Sequence, residues 1–225
     1  MFDRIISLIG EDELNKISKK TVLIVGLGGV GGYAMESLIR SGIGNLILID
    51  YDKIDIGNLN RQIITNKNNI GFKKVNVACE RINSINDNCN VITYDIFLDS
   101  DNIDILDKHH IDYIVDACDS VNTKKLLIDY AVNRDIKLIS SMGTANKIDP
   151  TKLEIIDIRK TSYDPLAKTL RKYVVSKKIN KKIMVVSSTE KPVRKDMLAS
   201  MVFVPATAGI YLANYIIRDI IKSND

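Results

Sequence analysis

Three glycines spaced Gly26-x-Gly28-x-x-Gly31 follow directly on the apolar run Thr21 to Val25 and lead into a helical pattern. There, glycine lets the chain turn tightly and bring its backbone against a phosphate, while the first N–H groups of the next helix face the anion. Gly29 lies inside the same turn. Asp50, in Leu48-Ile49-Asp50-Tyr51-Asp52, ends the next apolar run, the place from which a carboxylate reaches ribose hydroxyls. A nucleotide site is the expectation, a purely structural turn is the alternative, and an NAD-dependent oxidoreductase would be the ordinary extension. Other reactive types offer less. Cys79, Cys89 and Cys118 form no CxxC pair, so neither a four-cysteine zinc site nor a disulfide framework can be built, and each is expected to be a small buried apolar residue. His109 and His110 lie in a loop and are expected to face solvent.

Strand and helix patterns alternate around these residues. A helix is expected over Asp3 to Ile17, a strand over Thr21 to Val25, a helix from the glycine turn through Ile39, and a strand over Leu46 to Ile49. Helices follow near Lys73 to Ile85, Asn102 to Leu106 and Thr123 to Asn133, with strands at Val91 to Tyr94, Tyr113 to Val115 and Lys137 to Ser140. Strands this continuously apolar belong to a parallel sheet covered on both faces. The spacing therefore predicts an α/β fold, Rossmann-like and doubly wound, with a mainly parallel sheet and a C-terminal α/β extension. In one domain of 225 residues, residues 1–150 would be the nucleotide-binding core. Residues 151–225 would be a basic substrate-binding and dimerisation extension, with strands at Leu153 to Ile158 and Ile183 to Val186 and helices at Pro165 to Ser176 and Thr207 to Lys222.

Three further segments argue against a simple dehydrogenase: Asn58-Leu59-Asn60-Arg61-Gln62, Gly71-Phe72-Lys73-Lys74 and Asp116-Ala117-Cys118-Asp119-Ser120. In this order after a glycine turn, they resemble the ATP-binding signature of the ThiF/MoeB/ubiquitin-activating-enzyme-like superfamily, whose members adenylate carboxylates. The resemblance implies ATP held by Gly26, Gly28, Gly29, Gly31, Asp50, Asp52, Asn58, Arg61, Gln62, Lys74, Asp119 and Ser120. Arg61, Lys74 and Asp119 would be catalytic, the cations set against the phosphates and Asp119 ligating Mg²⁺. It also implies a homodimer in which Arg4 crosses to the neighbour's nucleotide, although Arg4 equally suits a plain helix surface. Residues 139–151, 160–168 and 199–209 resemble the branch of tRNA threonylcarbamoyladenosine dehydratases, over essentially the whole length. That branch implies ATP-dependent cyclisation of threonylcarbamoyladenosine beside the tRNA anticodon, by activation of the threonyl carboxylate. Ring closure within the substrate needs no protein nucleophile. A sulfur-carrier adenylyltransferase and a non-enzymatic nucleotide-sensing module are the alternatives, and a sulfur-relay or cysteine desulfurase partner is a further implication.

Composition narrows the partners. Apolar residues make up 45% and charged residues 27%, which excludes a disordered or fibrous chain. The net charge of +4 is uninformative, but its distribution is not: from Arg159 to Lys195 twelve basic residues stand against two acidic ones, a net +10 that leaves −6 for the rest. Such a run is either a solvated face or a patch for phosphate backbone, with Lys168, Arg171, Lys172, Lys177, Lys178, Lys181 and Lys182 as the tRNA contacts. Tyr163 and Tyr173, inside it, either stack on an unpaired base or pack against the sheet. The apolar stretch Met201 to Ile217 is too short to span a membrane and is read as a buried or interface helix, weak membrane association being the other reading. Its Ile210, Tyr211, Ile216 and Ile217 would be exposed without a partner copy. The start of the chain shows no secretory pattern, so the cytoplasm is the expected compartment.

Overall fold

The computed structural model describes residues 1–193 and 197–222. Arg194 and Lys195, the end of the basic run, lie outside the described residues. In chain order come α1 (Asp3–Ile9), α2 (Glu11–Ser18), β1 (Thr21–Val25), α3 (Gly31–Arg40), β2 (Asn45–Ile49), α4 (Lys74–Ile85), β3 (Asn90–Tyr94), β4 (Tyr113–Asp116), α5 (Val121–Arg134), β5 (Lys137–Ser141), β6 (Leu153–Asp157), α6 (Pro165–Ser176), β7 (Met184–Ser188) and α7 (Phe203–Lys222). The seven strands form one sheet in the order β3-β2-β1-β4-β5-β7-β6, parallel throughout except at β6–β7. This is the doubly wound α/β fold that the alternation predicts. The strand order reverses between β1 and β4, so the loops after these two strands part and leave a crevice at their carboxyl ends.

Successive strand residues point to opposite faces, and each face is covered. Val22, Ile24, Leu46, Leu48 and Val115 pack with residues of α3, α4 and α7, while Leu23, Val25, Ile47, Ile49 and Ile114 pack with α5 and α6. The last helix lies along α3: a Cβ at Gly209 would sit 2.2 Å from the carbonyl oxygen of Val30, the residue that precedes α3. No larger residue lets the two backbones approach so closely.

Four expectations are corrected. The N-terminal helix is two helices, because Gly10, at φ +88°, breaks it. The segment near Asn102 to Leu106 is a 3₁₀ helix, Ile103–Lys108. The last helix starts at Phe203, earlier than Thr207, because Pro205 falls in its first turn, where the missing N–H would have no intrahelical partner. Finally, Ile216 is fully buried within the chain and only Ile210 among the four apolar residues is clearly exposed, so the apolar character of α7 is used mainly inside the protein.

Candidate active site

The crevice at the switch point opens into a cleft of about 1150 Å³, whose lining residues fall into two sets by chain segment, its first and second lobes. The first is lined by Gly26, Gly28, Gly29, Asp50, Asp52, Asn58, Arg61, Gln62, Lys74, Asp119 and Ser120. The second is lined by residues 141–147 after β5, by residues 163–166 at the start of α6, and by Pro192 and residues 198–200.

In the first lobe the glycine turn closes on itself: a Cβ at Gly31 would lie 1.8 Å from the carbonyl oxygen of Gly26. Asp50 holds this turn. Its Oδ2 accepts the Leu27 N–H at 2.6 Å and its Oδ1 the Asp52 N–H at 2.8 Å. Both oxygens therefore already serve the loop, a structural duty beside the expected contact to ribose. Burial raises the Asp50 pKa, against the opposing pull of the Lys74 ammonium and the two N–H donors. Lys74, the first residue of α4 and nearly buried, pairs through Nζ with Asp52 Oδ2 at 2.7 Å.

Arg61 donates from its guanidinium to the Gly57 carbonyl and to Asn60 Oδ1, both at 2.9 Å, and has no carboxylate partner among the described residues. Asp119, at the end of the loop after β4, is exposed and likewise lacks a cationic partner among them. Gln62 is 6% exposed, yet its Oε1 has no hydrogen-bond donor among the described residues. A buried acceptor left open costs free energy unless a ligand or water completes it. Asn58 and Ser120 are partly engaged: Asn58 Oδ1 accepts the Asp55 N–H at 3.0 Å, and Ser120 caps α5 by accepting the Thr123 N–H at 3.2 Å. Arg4 is exposed on α1 and does not line the cleft of its own chain. Among the described residues there is no cluster of three or more His, Cys, Asp or Glu able to hold a metal.

The structure brings together residues that sequence reasoning passes over. Lys124 and Asp116, both fully buried, form an ion pair at 3.0 Å beneath the cleft. Lys124 also donates to Ser140 Oγ and to the Ser141 carbonyl, and Ser140 Oγ donates to Asp116 Oδ2, which ties the carboxyl ends of β4 and β5 together. A second pair borders the second lobe: Lys147 Nζ donates to the Gly143 carbonyl at 2.5 Å and to Asp164 Oδ2 at 3.2 Å, with both side chains 2% exposed. Asp164 Oδ1 simultaneously caps α6 by accepting the Ala167 N–H. Asn146 and Asn60 hold the segment over this lobe, Asn146 bonding Ala199 and Met197 and Asn60 bonding the Ser200 carbonyl. Only Asn146, at φ +60°, belongs to a residue type with a local signature, for asparagine tolerates the left-handed region.

The basic segment divides. Arg171 donates to the Thr161 carbonyl and hydroxyl, and Lys181 pairs with Asp135, so these two expected tRNA contacts are engaged within the fold. Lys168, Lys172, Lys177, Lys178 and Lys182 are exposed and form no ion pair with the described residues. The tyrosines divide too. Tyr173 donates to Asp129 Oδ2 at 2.5 Å, which with burial raises its pKa to about 12, and so packs α6 on α5. Tyr163 is 56% exposed and lines the cleft. Cys89 is buried and its pKa is pushed up to about 11, but Cys79 and Cys118 are half-buried. Cys118 faces the cleft, and burial together with Asp116 raises its pKa, which leaves it a neutral thiol rather than a nucleophile. His110 is exposed as expected; His109 is half-buried and bonds Tyr94 Oη at 2.6 Å.

The ThiF family model matches residues 2–222. The tRNA threonylcarbamoyladenosine dehydratase of Bacillus subtilis strain 168 is 36% identical over 233 residues, covering 95% of this chain and 92% of that protein. The protein of the same name from Escherichia coli strain K12 is 40% identical over 169 residues, 75% of this chain and 63% of its own length. The crystal structure of the E. coli tRNA N6-threonylcarbamoyladenosine dehydratase, TcdA, in complex with ATP is similar with a TM-score of 0.92 at 35% identity, covering 97% of this chain and 93% of that one.

Proposed function

The chain belongs to the ThiF family, and from that premise we propose that it is an ATP-dependent tRNA threonylcarbamoyladenosine dehydratase, which converts the threonylcarbamoyladenosine of a tRNA anticodon loop to its cyclic form. The observation that carries this reading is the first lobe itself. Among the described residues Arg61 has no carboxylate partner, Asp119 no cationic one and Gln62 Oε1 no donor, and the three surround a glycine turn. A ligand that is anionic at one end and offers N–H or O–H donors at the other, as ATP does, satisfies Arg61 and Gln62, and the cation that accompanies it satisfies Asp119.

A carboxylate is a poor electrophile because its oxygen leaves badly. Attack of the threonyl carboxylate on the α-phosphorus of ATP transfers AMP and releases pyrophosphate, which turns that oxygen into a leaving group; a nucleophile in the same modification then closes the ring, loses its proton and expels AMP, with net loss of water from the nucleoside. The protein's work is positioning and charge stabilisation. Arg61 and Lys74 neutralise charge that builds on the phosphates. The Asp52 carboxylate holds the Lys74 ammonium in place, and Asp50 keeps the Leu27 N–H of the glycine turn fixed. Asp119 is the residue that would hold Mg²⁺, a hard cation that would need few protein ligands beside a nucleotide's phosphates, and when bound it would supply further neutralisation of the triphosphate. The reading includes a homodimer in which Arg4 reaches the neighbour's nucleotide, and tRNA lying along α6, beginning at the cleft. Among the described residues no helix is long and apolar enough to cross a membrane.

The test is direct. Incubating the purified protein with threonylcarbamoyladenosine-bearing tRNA, ATP and Mg²⁺ is expected to lower the nucleoside mass by one water. No mass loss overturns the proposal. Pyrophosphate exchange stimulated by a Gly-Gly-tailed small protein but not by tRNA would move the assignment to a sulfur-carrier adenylyltransferase.

A further inference from the structure

We infer that Tyr163 is the platform on which the substrate's modified adenine stacks, and that the buried Lys147–Asp164 pair exists to hold it there; the inference rests on the dehydratase reading and names the residue that recognises its substrate. The cleft runs on from the residues around the glycine turn to those after β5 and at the start of α6. With ATP in the first lobe, the second lobe is the space in which the carboxylate to be activated and its base must lie.

Tyr163 lines that lobe and is 56% exposed, although aromatic side chains normally bury their rings. Its backbone is held at φ +55°, the left-handed region, which a bulky residue occupies only when its surroundings impose it. The surroundings are visible. The next residue, Asp164, is fixed by the Ala167 N–H and the Lys147 ammonium, and Pro165 then starts α6. The Lys147–Asp164 pair is therefore a positioning element and Tyr163 the contact. Lys191 Nζ lies over one face of the Tyr163 ring, 5.2 Å from its centroid, so a base would stack on the other face and leave this cation for its phosphate. Beyond Tyr163 along α6 come Lys168 and Lys172, exposed and without ion pairs among the described residues, spaced one helical turn apart. Aromatic ring, cation and basic track together form a site for one unstacked base at the end of a phosphate chain. Tyr173 offers no such platform, because it is half-buried and its hydroxyl is bonded to Asp129.

The chain contains no tryptophan, so Tyr163→Trp supplies a single fluorophore at the site. Its emission is expected to be quenched by an anticodon stem-loop RNA carrying threonylcarbamoyladenosine and to stay unchanged with ATP alone. Independently, Tyr163→Gly is expected to raise the KM for modified tRNA about tenfold or more, to leave the KM for ATP within twofold, and to leave the melting temperature unchanged or higher, because glycine adopts φ +55° freely. Tyr163→Phe should restore the tRNA KM. An unchanged tRNA KM in Tyr163→Gly alongside an active wild type, or a tryptophan at 163 that the modified RNA does not quench, overturns the assignment of Tyr163. Absence of product from the wild type strikes the dehydratase reading instead, and the fluorescence result still decides whether RNA stacks at this position.

Discussion

The two lobes of the cleft treat charge in opposite ways. In the first, Arg61 and Asp119 stand without oppositely charged partners among the described residues, and Lys74 has a single half-exposed one in Asp52. Beside the second, Lys147 with Asp164, and beneath the cleft, Lys124 with Asp116, are closed into pairs out of contact with water. An open charge is completed by a ligand, whereas a closed one has spent its attraction on the fold. On the proposed reading, the lobe that takes the polyanion keeps charges in reserve, and the lobe that holds a shape does not.

Breaking a closed pair should have the largest effect. Lys124→Met leaves Asp116 buried and uncompensated, and a loss of about 3 to 5 kcal/mol in unfolding free energy is expected, measured by denaturant titration. A variant that unfolds like the wild type would remove the distinction between the lobes. Next come the open charges. Arg61→Ala and Asp119→Ala should each lower kcat by roughly 100- to 1000-fold in the mass assay, with circular dichroism and melting temperature unchanged. A matching loss of stability would mean that these charges, too, serve the fold. Smaller again is the exposed part of the basic segment. Replacing Lys168, Lys172 and Lys182 with Ala should weaken tRNA binding and lower the slope of log affinity against log salt by roughly one for each phosphate no longer neutralised, while ATP affinity stays as it was. The smallest effect belongs to Lys181→Ala, whose ammonium is already paired with Asp135: tRNA affinity should change by less than about twofold, consistent with the small worth of an exposed pair.

The features legible in the sequence are local ones. The glycine turn and Asp50 lie within 25 residues of each other on one strand-turn-helix-strand unit, so their spacing alone brings them together. The strands β1, β2 and β4 are equally plain, since a strand buried on both faces is written as an unbroken apolar run. The closed pairs are not legible, because nothing in a sequence says that Lys147 will meet Asp164 across 17 residues or that Lys124 will reach Asp116, Ser140 and Ser141 at once. For the same reason composition marks Arg171 and Lys181 as free when they are engaged. Counting charges finds a patch, but only the fold shows which members have neighbours. The break at Gly10 escapes periodicity, since the apolar spacing continues across it while the backbone does not.

The close approach of Gly209 to Val30 sets an order on the making of the protein. Chains emerge from the ribosome amino end first and their early segments begin to organise as they appear, so β1, the glycine turn and α3 exist long before the helix that braces them. Until α7 is complete, the loop meant for phosphate lacks the backbone against which its helix is set. Competence to take up a nucleotide is thus expected only once α7 has been made, and a polypeptide truncated between residues 121 and 202 is expected to carry the whole nucleotide motif and hold nothing in it.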